Sequence, residues 1–277
     1  MKKNKLIAPF LKWVGGKRQL MPAIKELIPK NYTNYYEPFI GGGAVLFDLQ
    51  PKNAVINDFN EELINVYQTI KENPEELISD LKTHKNESDY FYDLRALDRE
   101  DSFKNLSNIK KASRVIYLNK TCYNGLYRVN NSGEFNSPFG RYKNPNIVNE
   151  TTIRAVSKYL NSNKITILNG DFEEALKGIK KGSFVYFDPP YHPVSASSNF
   201  TGYVQGGFDI YEQVRLRDLC NKLNEKGINF LLSNSATQFI EDLYKDYKIS
   251  YVKANRSINS NAKKRGEIDE VLICNYE

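Results

Sequence analysis

The run Phe184-Val185-Tyr186-Phe187-Asp188-Pro189-Pro190-Tyr191 carries four apolar or aromatic residues straight into an acid, two prolines and a tyrosine. A short continuous apolar run closed by a turn signal reads as a strand buried on both faces, the kind found inside a parallel sheet. Open α/β sheets bind their ligands outside the carboxyl ends of such strands. The prolines fix the backbone and carry no N–H, so the carbonyls beside them stay open to an outside donor. A carboxylate and carbonyls aimed at one point suit an amino group, and Tyr191 can stack on the ring that bears it. For so short a motif an ordinary strand-terminating turn is the alternative. Agreement with other segments favours the functional reading.

Nearer the N-terminus, Tyr35-Tyr36-Glu37-Pro38-Phe39 reads as a strand running into Gly41-Gly42-Gly43, and Ala54-Val55-Ile56 as one ending at Asn57-Asp58. Ile165-Thr166-Ile167-Leu168 ends at Asn169-Gly170-Asp171, and Ile228-Asn229-Phe230-Leu231-Leu232 at Ser233-Asn234-Ser235. Leu216, Leu219, Cys220 and Leu223 recur at helical spacing, with Gly227 as the expected helix stop. Residues 249–254 and 270–276 read as an antiparallel pair around a basic loop. Strands alternating with helices predict a doubly wound sheet. Asp58 and Asp171 are 113 residues apart, far more than one crossover needs, so residues 61–148 are expected to form an inserted, mostly helical module. Its helical patterns centre on Leu63-Ile64-Tyr67-Ile70 and on Val115-Ile116.

The 277 residues, 40% hydrophobic and 26% charged, describe a chain able to bury a substantial core. The net charge of +6 is a mild bias toward polyanions, and the 19 tyrosines and 15 phenylalanines suit base stacking as well as packing. Three dispersed cysteines and two histidines support neither a disulfide framework nor a metal site nor a Ser-His-Asp triad. The basic start is too short and broken for a signal peptide, and no run approaches a membrane span. The expected location is cytoplasmic, with no membrane and no metal among the partners.

Gly41-Gly42-Gly43 after a strand permits close backbone approach to a ligand, and Asp58 at the end of the next strand is placed to bind two ribose hydroxyls. A dinucleotide would need a further glycine where Leu46 stands, so a ribose-bearing cofactor without pyrophosphate fits better, and S-adenosylmethionine is the obvious one. Glu37 can bond its amine end, while Trp13 and Phe39 offer π faces to a cationic sulfonium. For each aromatic, core packing is the competing reading. Lys12-Trp13-Val14-Gly15-Gly16-Lys17 reads either as a loop around an anion, a cofactor carboxylate or DNA phosphate, or as a surface turn before a helix containing Leu20, Ile24 and Leu27.

These segments, together with Tyr123-Asn124-Gly125-Leu126-Tyr127-Arg128, Gly133-Glu134-Phe135-Asn136, Pro138-Phe139-Gly140-Arg141-Tyr142, Ser197-Ser198-Asn199-Phe200-Thr201-Gly202-Tyr203 and Arg256-Ser257-Ile258-Asn259-Ser260-Asn261, resemble the Dam-type DNA adenine methyltransferases along nearly the whole chain. The resemblance implies an α/β fold with a doubly wound, mostly parallel seven-stranded Rossmann-like sheet. It implies a catalytic S-adenosylmethionine-binding domain of residues 1–60 and 149–277, and a target (DNA) recognition domain of residues 61–148.

It also implies that Trp13, Lys17, Asp58 and Asp188 contact the cofactor, with Phe39, Gly41, Gly43 and Asp171 around it. Asp188, Pro189 and Tyr191 would carry methyl transfer to adenine N6. Lys12, Tyr123, Asn124, Leu126, Arg128, Pro138, Arg141 and Tyr142 would lie at or near a GATC site in double-stranded DNA. Arg128 and Arg141 are candidates for bidentate guanine contacts, against the plainer reading of solvated surface arginines. Arg256, with Lys253, Lys263, Lys264 and Arg265, reads as a phosphate-binding end of the sheet or as a solvated charge run. The loop from His192 to Gly207, with Phe200 and Tyr203, is expected to close over the flipped base, and His192 itself has no expected role. A monomer on DNA is expected, with a restriction endonuclease as a functional rather than physical partner. Another amino-group acceptor such as RNA, a dinucleotide oxidoreductase and a non-catalytic DNA-binding protein remain as rivals.

Overall fold

The computed structural model describes residues 3–194, 207–255 and 267–277, with side chains undescribed at 254, 255 and 267–269. The expectations resting on Phe200, Tyr203, Arg256, Lys263, Lys264, Arg265 and the two motifs at 197–203 and 256–261 lie outside these residues.

Seven strands form one sheet: β1 (Tyr35–Glu37), β2 (Asn53–Asp58), β3 (Lys164–Asn169), β4 (Phe184–Phe187), β5 (Asn229–Ser235), β6 (Lys248–Asn255) and β7 (Glu267–Cys274). Their order is β3-β2-β1-β4-β5-β7-β6. The first five are parallel, and β7 runs antiparallel between β5 and β6. This is the doubly wound Rossmann-like arrangement. Strand order reverses between β1 and β4, which opens a crevice beyond their carboxyl ends.

β4 has the expected limits because its residues alternate between two apolar layers. Phe184 and Tyr186 face one core with Tyr35, Ile56 and Leu231; Val185 and Phe187 face the other with Phe230, Leu232 and Ile273. Each such side chain, fully buried, contributes about 1.5–3 kcal/mol. β1 is shorter than its sequence suggests and stops at Glu37. Pro38 follows and has no N–H with which to extend the ladder.

The first core is covered by α1 (Met21–Leu27), α2 (Ala44–Leu49), α3 (Glu61–Glu72), α6 (Asn108–Thr121) and α7 (Glu150–Ser162). The second is covered by α8 (Ile210–Glu225) and α9 (Gln238–Leu243). Gly227, at φ +63°, follows the end of α8 as the expected stop. Residues 61–148 begin with α3 and α4 (Pro74–Leu81), continue through α5 (Ser88–Ala96) to α6, and end in loops with two isolated β-bridges. Arg114 ties this region together from within: 1% exposed, it bonds Asp98 at 2.7 Å and donates to the carbonyls of Leu94 and Arg95. Among the described residues no helix is long and apolar enough to cross a membrane.

Candidate active site

The crevice is built at the switch point. Asp188, the first residue after β4, has a side chain only 21% exposed. Its Oδ1 accepts hydrogen bonds from Lys17 Nζ at 2.7 Å and Ser233 Oγ at 3.0 Å. Burial raises the Asp188 carboxyl above the usual carboxylate range, while Lys17 and Ser233 pull it back. Lys17 is 4% exposed, also donates to Gly15 O at 2.5 Å, and lies 4.8 Å from the centre of the Tyr191 ring. An anion beside the glycine-lysine loop is the Asp188 carboxylate of the chain itself. Tyr191 donates its hydroxyl to Glu270 Oε2 at 3.0 Å.

Glu37 ends β1 on the other side of the switch point, 2% exposed, and accepts the Tyr35 hydroxyl at 2.7 Å. Burial pushes its carboxyl well above the ordinary value, and the nearby Asp188 charge adds to this. Asp58 ends β2 and accepts the Gly41 N–H at 2.9 Å and the Asn60 N–H at 3.0 Å, one on each oxygen. A carboxylate oxygen has two lone pairs, so both retain capacity for a ligand hydroxyl. Burial raises Asp58 as well, opposed by those two amides.

The glycine loop approaches Trp13 closely: a Cβ at Gly41 would lie 3.0 Å from Trp13 Cδ1, and one at Gly42 3.2 Å from Trp13 Cβ. Gly43 adopts φ +71° against Tyr67 and Phe47. Trp13 is half-buried, stacked on Tyr127 at 4.7 Å, and Phe39 stacks on Phe172 at 5.3 Å with Phe208 at its edge. Both aromatics therefore pack while staying partly exposed. Asp171, two residues after β3, is in contact with Arg215, which also bonds Glu173 and Glu212 and lies 4.4 Å over Phe172.

A second group of expected residues gathers at the end of α6. Tyr123 N–H donates to Pro138 O at 2.8 Å and Gly140 N–H to Thr121 O at 2.8 Å, so the two arginine-bearing loops form one surface. Asn119, buried at 1%, clasps Lys12 through both backbone groups, at 2.9 and 2.8 Å, and donates to Gly125 O. Tyr123, Arg128, Pro138, Arg141 and Tyr142 are exposed there; Asn124 and Leu126 are half-buried. Asn124 and Arg141 both adopt positive φ, at 58° and 54°. Arg128 is oriented by Asn136, whose Oδ1 accepts its Nε–H at 2.6 Å.

Sequence reasoning missed Asn119, Tyr127, Ser233, Gln213 and Arg215. Two of them carried a signal: Tyr127 sits within the motif at 123–128, and Ser233 opens the polar turn that ends an apolar strand. His192 also has a place: its N–H donates to Asn234 Oδ1 at 3.0 Å and its ring pairs with Thr237.

Residues 13–258 match the family described as D12 class N6 adenine-specific DNA methyltransferase. The chain belongs to that family. It transfers methyl groups to adenine N6 in DNA. It is 49% identical over 279 residues to Type II methyltransferase M1.LlaDCHI of Lactococcus lactis subsp. cremoris, covering 100% of this chain and 98% of the relative. Identity is 42% over 290 residues to Type II methyltransferase M.MjaIII of Methanocaldococcus jannaschii, covering 98% and 99%. It is 34% over 276 residues to the DNA adenine methylase of Escherichia coli K12, covering 98% and 95%.

Proposed function

We propose that this adenine methyltransferase takes its methyl group from S-adenosylmethionine and modifies an adenine flipped out of duplex DNA at GATC. The observation that carries the reading is the half-buried Asp188 carboxylate at the switch point, with Pro189 and Tyr191 following it.

The donor set of the crevice fits the cofactor. Asp58 would hold the ribose hydroxyls and Glu37 the amine end. Trp13 and Phe39 would border the sulfonium, with Gly41 and Gly43 keeping the backbone close. Asp171 would close the nucleoside end, and Lys17 would stand between the cofactor side and Asp188. When bound, S-adenosylmethionine supplies an electrophilic methyl group that needs no further activation.

The adenine amine is a poor nucleophile, because its lone pair is delocalised into the ring. Asp188 and the Pro189 carbonyl would accept its two N–H hydrogens and favour a pyramidal nitrogen with a directed lone pair. Correct placement of two reactants lowers a barrier by about 7–11 kcal/mol, so positioning is most of the task. Extruding the base costs a few kcal/mol, which stacking on Tyr191 would partly offset.

Residues 61–148 would carry target recognition. Lys12, Asn124, Leu126, Arg128, Arg141 and Tyr142 would read or border the site, with Tyr123 and Pro138 filling the space beside the extruded base. Their gathering at the end of α6 supports this reading. Two relatives carry the name Type II methyltransferase, in keeping with a restriction endonuclease as a functional partner; the enzyme would not bind it physically and would act as a monomer on DNA in the cytoplasm. The test is to methylate a mixed DNA library with labelled S-adenosylmethionine and map the modified adenines. Modification confined to GATC is expected; modification at another sequence would overturn the specificity.

A further inference from the structure

We propose that Ser233 is a positioning residue for methyl transfer: it holds one oxygen of Asp188 so that the other faces the target amine. The proposal rests on the reading that Asp188 and Pro189 accept the two hydrogens of that amine.

β5 ends in Ser233, Asn234 and Ser235, all at 0% exposure. Polar groups buried this deeply must find partners: Ser233 finds one on Asp188, and Asn234 and Ser235 find theirs on Gln213 and on His192, just after the D-P-P-Y turn. Ser233 Oγ lies 3.0 Å from Asp188 Oδ1, 3.1 Å from the Tyr186 hydroxyl and 3.4 Å from Phe187 O. It has one proton to give, and the charge-assisted bond to a carboxylate is the strongest of the three. Tyr186, also fully buried, then donates its hydroxyl to Ser233. The chain of donors runs Tyr186 to Ser233 to Asp188 Oδ1. Lys17 Nζ donates to the same oxygen at 2.7 Å. Two donors occupy both lone pairs of Oδ1, and Oδ2 has no partner among the described residues.

The carbonyls are sorted in the same way. Gln213 Nε2 donates to Pro190 O at 2.9 Å, and its own Oε1 accepts from Asn234 Nδ2 at 3.1 Å. Ser235 Oγ donates to His192 O at 2.5 Å. Pro189 O has no partner among the described residues. Two acceptors, Asp188 Oδ2 and Pro189 O, are therefore left for the two amine hydrogens.

The test compares Ser233→Ala, Ser233→Thr, Tyr186→Phe and Asp188→Ala. One readout needs no cofactor: the titration of the Asp188 carboxyl followed by carbon NMR on aspartate-labelled protein. The second is the single-turnover rate against pH at saturating DNA and cofactor, with DNA affinity and thermal midpoint as folding controls. Ser233→Ala is expected to raise the Asp188 midpoint, move the acidic limb of the rate upward with it, and slow transfer by about 10- to 100-fold, as for one lost bond to a charged group. DNA affinity should stay within about twofold of wild type, by the usual size of effects away from a binding surface. Ser233→Thr should restore both readouts, and Tyr186→Phe should give a smaller shift of the same sign. If Ser233→Ala does not fold, Ser233→Cys replaces it with a weaker donor, and an unchanged Asp188 midpoint there overturns the proposal. Wild-type transfer in Ser233→Ala beside an inactive Asp188→Ala overturns the role of Ser233 alone. Wild-type transfer in Asp188→Ala overturns the reading beneath it.

Discussion

Lys17 Nζ lies 2.7 Å from Oδ1 of Asp188 and joins the N-terminal glycine-lysine loop to the turn after β4. An ammonium only 4% exposed is costly unless paired. The pairing puts Lys17 beside the Tyr191 ring. It also keeps Asp188 more acidic than its burial alone would allow.

Replacing Lys17 by Met should therefore move the Asp188 carboxyl further upward. Breaking a fully buried pair costs about 3–5 kcal/mol; the partial exposure of Asp188 reduces the expected stability loss to about 1–3 kcal/mol. The acidic limb of the single-turnover rate should move to higher pH. An unmoved limb would show that Lys17 does not govern the charge of Asp188.

Gly43→Ala should destabilise the fold. The new Cβ would meet Tyr67 Oη at 2.6 Å and Phe47 Cε2 at 2.8 Å, on a residue held at φ +71°. Both neighbours are packed core side chains, so overpacking and backbone strain of about 1–3 kcal/mol are expected. Denaturant unfolding measures it directly; an unchanged midpoint would mean the loop can shift at no cost.

The raised carboxyl of Glu37 makes folding depend on pH. Between the ordinary carboxylate value and the higher folded one, the folded state binds more protons than the unfolded state. Stability from this group is thus full below the ordinary value and lost as pH rises through the folded value. Glu37→Gln removes the dependence, so its stability relative to wild type should rise as the buffer is taken from acidic to neutral. A constant difference across that range would be the contrary result.

Arg128→Ala should relax discrimination at one base pair by about 1–3 kcal/mol while changing non-specific binding little. Competition between duplexes differing at single positions would read it. Equal weakening on every sequence would reassign the arginine to phosphate contact.

Much of this architecture follows from local pattern. The apolar run at 184–187 specifies a strand buried on both faces wherever it is placed, and the acid, prolines and tyrosine after it specify its turn. The 113-residue spacing of Asp58 and Asp171 leaves room for more than one crossover, and α3 to α6 fill part of that interval. Gly41-Gly42-Gly43 marks a close backbone approach: a Cβ at Gly41 or Gly42 would crowd Trp13, and one at Gly43 would meet Tyr67 and Phe47. β1 was overextended because its aromatic residues continue past the proline that ends its ladder.

Side-chain pairings across distant elements had no local signal. Nothing near Lys17 announces Asp188, and nothing near Asn119 announces Lys12. Ser233 reads as a polar residue at a strand end until β5 is placed beside β4 and its hydroxyl meets Asp188. The amino-acid order alone determined where the strands run, though not where β1 stops, and which chemistry stands after each. Which oxygen of Asp188 is held, and by what, was decided by tertiary structure, because a hydrogen bond depends on tenths of an ångström that only the packed sheet defines.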